Sequence, residues 1–129
     1  MSNVSKNARK NTKNARDGLI ILTGLYPDIF NCSDVIVYDH ETYSAILQES
    51  SKAHSKVVIS AGIRKWTESY KYLMAIVRGY NKTNSKGGKT YPISDKERTV
   101  AQKKLQQIRD KVLKDKLSHK LSSLASKQW

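Results

Sequence analysis

The first fourteen residues are Asn, Lys, Ser and Arg with scarcely an apolar position, Val4 and Ala8 apart. Nothing there can anchor a docked element, so the pattern predicts a disordered tail or a frayed helix. From Ala15 the pattern changes. Leu19, Leu22, Leu25 and Tyr26 recur at helical spacing, and Ile20 and Ile21 broaden the stripe. Pro27 ends that helix, because the residue before a proline avoids the α region. Phe30 follows as a core plug. Residues 31–34 read as a turn. Val35, Ile36, Val37 and Tyr38 are β-branched or aromatic, which suits a brief strand or an extended buried segment. A helix then starts at Asp39 or His40, with Tyr43, Ile46 and Leu47 on one face.

Ser55 is placed to cap the next helix. Val58 and Ala61 supply its buried face, and Gly62 permits close packing. Thr67 reads as a second cap. Tyr70, Leu73, Met74 and Val77 follow at i, i+3, i+4 and i+7, and Gly79 suits a C-terminal stop. The pattern therefore predicts helices over 56–66 and 68–78, with a sharp junction at Thr67. Tyr72 falls off the Tyr70–Leu73–Val77 stripe and is expected to face solvent. Gly87-Gly88, between two short polar and β-prone stretches, predicts a small hairpin. Ser94-Asp95-Lys96-Glu97 is a capping box. Beyond it Ala101, Leu105, Ile108 and Val112 form a stripe that slips by one residue to Leu113, Leu117, Leu121 and Leu124. Lysines surround this second half, which predicts a helix projecting from the body or meeting a partner helix. The expected fold class is mainly α with a small β-hairpin, an α+β single domain over 17–113. A basic disordered tail, 1–16, precedes it, and an extension of the last helix, 114–129, follows it.

Composition sharpens this. The chain has 129 residues, enough for one domain, and 38% are hydrophobic, below the globular norm of about 45–50%. Lys and Arg number 24 against 11 Asp and Glu, a net charge of +13. Residues 1–16 hold five basic side chains (Lys6, Arg9, Lys10, Lys13, Arg16) and no acid. Residues 82–129 hold thirteen basic and four acidic, whereas the middle is near neutral. Two basic ends around a neutral body argue for a polyanionic partner. No apolar run approaches the ~20 residues of a membrane span, so no membrane role is expected. No apolar signal-peptide core follows the basic start, and Cys32 is the only cysteine, so a reducing cytoplasm is expected. His40, His54 and His119 are scattered, and Gly87-Gly88 lacks the lysine–hydroxyl pair of a phosphate loop. No enzyme, catalytic residue, metal, cofactor or small-molecule substrate is expected.

Residues 64–78 interleave cations, aromatics and hydroxyls: Arg64, Lys65, Trp66, Thr67, Ser69, Tyr70, Lys71, Tyr72 and Arg78. Cations grip phosphate, aromatics stack on unpaired bases, and hydroxyls bond sugar or phosphate. The run Ser55-Lys56 … Arg64-Lys65-Trp66-Thr67-Glu68-Ser69-Tyr70-Lys71-Tyr72-Leu73 resembles the central signature of the FinO/ProQ family of bacterial RNA chaperones. Leu25-Tyr26-Pro27 … Phe30, the Gly87 turn, Ala101 and Leu105 also fall where that family has their counterparts, so the resemblance covers roughly Leu19 to Leu113. It implies a small helical domain with a hairpin whose concave face holds the base of a terminator-like stem and its single-stranded 3′ tail. It places Arg64, Tyr72 and Lys82 on that face, Lys56 near it, and Ser69 in the helix start facing the terminal nucleotide. Lys71, Lys6, Arg9, Lys10, Lys13 and Arg16 are auxiliary basic contacts in this reading.

Two departures from the family pattern stand out. Ser60 stands where some members have an RNA-contacting arginine, and Val35-Ile36-Val37-Tyr38 stands where the family has a lysine-bearing motif. The expected function is a monomeric cytoplasmic RNA-binding regulator holding a 3′ hairpin and tail of small RNAs. The competing readings are a helix-turn-helix DNA-binding regulator and a structural ribosomal-RNA-binding protein.

Overall fold

A computed structural model of the chain describes residues 2–127, with side-chain surroundings for residues 10–123. Its elements are α1 (Ser2–Leu25), α2 (His40–Ser50), α3 (Lys56–Thr67), α4 (Tyr70–Arg78), β1 (Asn81–Thr83), β2 (Thr90–Pro92) and α5 (Asp95–Lys127). The fold class is the expected one, mostly helical with one two-stranded antiparallel sheet.

Helix α1 runs continuously from Ser2, which is the helical one of the two alternatives expected for the start of the chain. No proline interrupts the segment and its first glycine is Gly18. The docked part from Gly18 onward bears the cost of nucleation, and each further residue adds one helical hydrogen bond at little cost. The helix ends at Leu25, before Pro27, as the sequence requires.

α1 packs mainly on α3, and α4 on α5. The main core joins Leu22, Phe30, Val37, Tyr43, Ile46, Ile59, Trp66, Tyr72 and Ile93. A second cluster of Leu73, Ala101 and Leu105 seats the first half of α5 on α4. Beyond that seat Val112, Leu113, Leu117 and Leu121 are exposed.

The hairpin pairs Asn81 with Pro92, Lys82 with Tyr91 and Thr83 with Thr90. Gly87 and Gly88 turn it at positive φ, 91° and 68°, where a side chain would be strained. Residues 35–39 run beside β1 as an extended segment. The Asp39 amide donates to the Thr83 carbonyl at 3.0 Å, and the Thr83 amide to the Val37 carbonyl at 2.8 Å. A buried polar cluster ties α2 to this corner. Asp39 caps α2 by accepting from the Thr42 amide at 2.9 Å and hydroxyl at 2.6 Å, and its other oxygen accepts from Asn84 Nδ2 at 2.8 Å. Burial works against the Asp39 charge, but the bonds from Thr42 and Asn84 outweigh it and hold the carboxyl below its ordinary range.

Candidate nucleic-acid interface

The cap of α4 comes two residues later than the sequence suggests. Helix α3 runs through Thr67, and the cap of α4 is Ser69. The Ser69 hydroxyl donates to the Trp66 carbonyl at 2.6 Å and accepts from the Tyr72 amide at 3.4 Å. It therefore stitches the end of α3 to the start of α4. Ser55 stands at the N-cap of α3, but its side chain makes no capping bond.

The two tyrosines of α4 exchange the faces assigned to them. Tyr72 is 3% exposed and Tyr70 is 47% exposed. The Tyr72 hydroxyl accepts from the Tyr43 hydroxyl at 3.0 Å and from the Tyr38 amide at 3.3 Å, and it donates to the Tyr38 carbonyl at 3.4 Å. Its ring meets Tyr43 at 6.2 Å and Trp66 at 6.1 Å between centroids. Burial raises both the Tyr72 and the Tyr43 hydroxyl above the usual phenol range. The physical reason is that α4 is covered twice. Tyr72, Ala75 and Ile76 pack into the main core, while Leu73, Met74 and Val77 pack toward α5.

The expected cations divide into three groups. Lys56 and Arg64 are exposed on α3 and line one groove with Ser60 and Lys65, facing Asn11 and Asn14 of α1 across a volume of about 630 Å³. Lys82 and Lys71 are already engaged. Lys82 donates to Glu97 Oε1 at 2.8 Å, and Lys71 donates to the Cys32 carbonyl at 3.1 Å. The pairing with Lys82 is the main reason the Glu97 carboxyl sits below its ordinary range. Lys10, Lys13 and Arg16 are exposed. At about 100° per residue, Lys13 and Arg16 lie on the side of α1 opposite Asn11 and Ala15, with Lys10 between the two sides. The side chains of Lys6 and Arg9 lie outside the described residues.

The approach of α1 to α3 builds the groove. Gly18 and Gly62 meet where the helices cross, and a Cβ on Gly62 would lie 2.5 Å from the Gly18 carbonyl carbon. A smaller cavity of about 360 Å³ lies between the α3–α4 junction and α5, lined by Thr67, Glu68, Tyr72, Lys96 and Lys104 among others. Glu68 and Lys104 pair across it at 3.8 Å. The sequence singles out Lys65 only as one cation of the 64–78 run, and Asn11 and Asn14 not at all. The spacing of Asn11 and Asn14, three residues apart and in phase with Ala15 and Gly18, carries that signal.

The groove offers cations and hydroxyl or amide groups without a cluster of potential metal ligands anywhere among the described residues. No helix among them is long and apolar enough to cross a membrane. No curated protein matches the chain. A model of the ProQ/FINO family matches residues 12–118, from near the middle of α1 to well along α5.

Proposed function

This chain belongs to the ProQ/FinO family, and on that premise we propose that it holds the 3′ terminator-type hairpin and single-stranded tail of small RNAs. The family binds RNA and acts as RNA chaperones, and this chain carries the charge that such a role needs. The observation that supports the finer reading is the convergence of Lys56, Arg64 and Lys65 on one groove. Cations on one wall can contact the phosphates of a strand and leave its bases accessible to the opposite wall. Ser69 enters the reading as the residue that shapes the α4 start. Tyr72 enters through its buried ring, which braces that start and reaches the smaller cavity. Lys82 enters as a cation that exchanges Glu97 for phosphate. Lys10, Lys13, Arg16 and Lys71, with Lys6 and Arg9, add contacts without sequence information. The protein acts as a cytoplasmic monomer, stabilising or remodelling its RNA without a cofactor and without turning over a substrate.

The test is fluorescence anisotropy at matched salt with a hairpin carrying a uridine-rich 3′ tail and a DNA duplex of equal charge. The tailed hairpin is expected to bind at least tenfold more tightly. Equal affinity would reduce the reading to nonspecific attraction. Crosslinking in cells followed by sequencing of bound RNA is expected to place reads at terminators rather than in ribosomal RNA.

A further inference from the structure

The α1 helix is polar on two sides that differ in kind. Asn11, Asn14, Ala15 and Gly18 stand at i, i+3, i+4 and i+7 and so share one face. That face docks at Gly18, against Gly62, and then continues past the crossing along the groove. In the sequence Asn7 and Asn3 extend the same spacing by four and eight residues before Asn11. Lys13 and Arg16 occupy the opposite side. Asparagine is a poor helix former, and neither solubility nor the core asks for a stripe of it inside a helix. Its carboxamide presents a carbonyl acceptor and two N–H donors, the complement of an unpaired base edge.

The wall that faces this stripe is cationic. Lys56, Arg64 and Lys65 lie on it, with Ser60 between the cations. Ser60 is a small side chain on that wall, which leaves room in the groove. Val57 and Ala61 add an apolar floor. The volume of about 630 Å³ falls in the range of ligand sites, about 300–1,000 Å³, and is far too small for a duplex. Phosphates on one wall and base edges on the other suit a single strand.

We propose that the Asn11–Asn14 face of α1 is the second wall of the RNA seat, and that its carboxamides hydrogen-bond unpaired bases of the 3′ tail. This rests on the RNA-binding reading above and adds to it the residues that discriminate tail from stem. The cationic wall holds the sugar-phosphate strand, and the asparagine wall reads what the strand presents. The basic side of α1 remains free to contact phosphates elsewhere on the RNA.

The experiment compares three ligands: a tailed hairpin, the same hairpin with abasic sites in its tail, and a blunt hairpin. Each is titrated with the wild-type chain, with the double variant Asn11→Ala, Asn14→Ala, and with Arg64→Ala. Alanine is the better helix former, so the double variant keeps α1 and its melting temperature. It is expected to bind the tailed hairpin about tenfold more weakly and the blunt hairpin as the wild type does. Abasic sites are expected to weaken the wild type by the same factor and the double variant hardly at all. If the double variant binds the tailed hairpin as tightly as the wild type while Arg64→Ala binds it weakly, the asparagine wall is refuted and the RNA reading stands. If abasic and uridine tails bind the wild type equally, base contact is refuted. If the wild type binds the tailed and the blunt hairpin equally, the 3′-tail reading fails and this inference with it.

Discussion

Gly18 and Gly62 face each other backbone to backbone where α1 crosses α3. A Cβ on Gly62 would sit 2.5 Å from the Gly18 carbonyl carbon, and one on Gly18 would collide with the Val58 carbonyl oxygen. Neither obstacle is the flexible end of a side chain, so relief requires the helices to separate. Gly62→Ala is therefore expected to destabilise by about 1–3 kcal/mol, the range of overpacked cores. Thermal unfolding followed by circular dichroism checks this, and an unchanged melting temperature would show that the crossing is looser than described. Because the same crossing sets the groove, RNA affinity is expected to fall as well at temperatures where the variant is folded.

Tyr72 and Tyr70 should separate stability from surface. Tyr72→Ala is expected to cost about 3–5 kcal/mol, as a large buried aromatic. Tyr72→Phe keeps the ring but leaves the Tyr43 hydroxyl and the Tyr38 amide without their shared acceptor, a loss of about 1–3 kcal/mol. Tyr70→Ala is expected to stay within about 1 kcal/mol, since that side chain is half exposed. Urea titrations of the three variants decide the ranking. A large loss in Tyr70→Ala with none in Tyr72→Ala would restore the assignment that the period alone suggests.

That inversion shows what periodicity can carry. The spacing of Leu73, Met74 and Val77 correctly marks a buried face, but it is the face toward α5. A helix covered on two sides has no single stripe, and Tyr70, one turn earlier on the α5 side, reaches only the half-exposed ring of residues near Val112. Local signals fared better where they act alone: Pro27, the Gly87-Gly88 turn and the Ser94–Glu97 box each do in the fold what their chemistry requires. The Ser94 hydroxyl both accepts from the Glu97 amide and donates to its carboxylate. The start of α1 leaves a tail and a frayed helix equally open in the sequence because it carries no apolar stripe, while the docked part of the helix lies a few turns on. In the candidate site, the sequence marks Lys56 and Arg64 but not the engagement of Lys82 with Glu97, since residues fifteen apart in sequence meet only through the fold.

Asp39 makes the acid limb of stability measurable. Its folded pKa lies below the unfolded value near 3.8, despite burial, because of the bonds from Thr42 and Asn84. A depressed carboxylate contributes stability that is present above the unfolded pKa and lost as pH falls through the folded one. Stability is thus expected to decline below about pH 4. Asp39→Asn sets its amide donors against Asn84 Nδ2 and is expected to cost about 1–3 kcal/mol at neutral pH. The gap between wild type and variant should narrow as pH falls. Denaturant melts at several pH values test this, and a gap independent of pH would mean that the charge of Asp39 contributes nothing.

Lys82 and Glu97 give the last prediction. Their side chains meet at 2.8 Å and are both part-exposed, so the pair is screened by solvent and worth at most about 1 kcal/mol to the fold. Its consequence for RNA is larger. While Glu97 holds Lys82, the cation is neutralised, and phosphate must displace a carboxylate that is also bonded to Ser94. Glu97→Gln removes that competitor and leaves a hydrogen-bonding side chain of the same shape in the capping box. The variant is expected to bind the tailed hairpin severalfold more tightly at low salt. The slope of log K against log salt should steepen by about 0.7–0.9, one more phosphate contact. Lys82→Ala should do the opposite, because it leaves the Glu97 charge uncompensated beside the RNA. In the double variant Lys82→Ala, Glu97→Gln, affinity should return toward the wild type, and its slope should be shallower than that of Glu97→Gln alone. Salt titrations of the four proteins complete the cycle. If Glu97→Gln changes neither affinity nor slope while Lys82→Ala weakens binding, Lys82 reaches phosphate without leaving Glu97. If neither substitution has an effect, Lys82 lies off the RNA-binding face altogether.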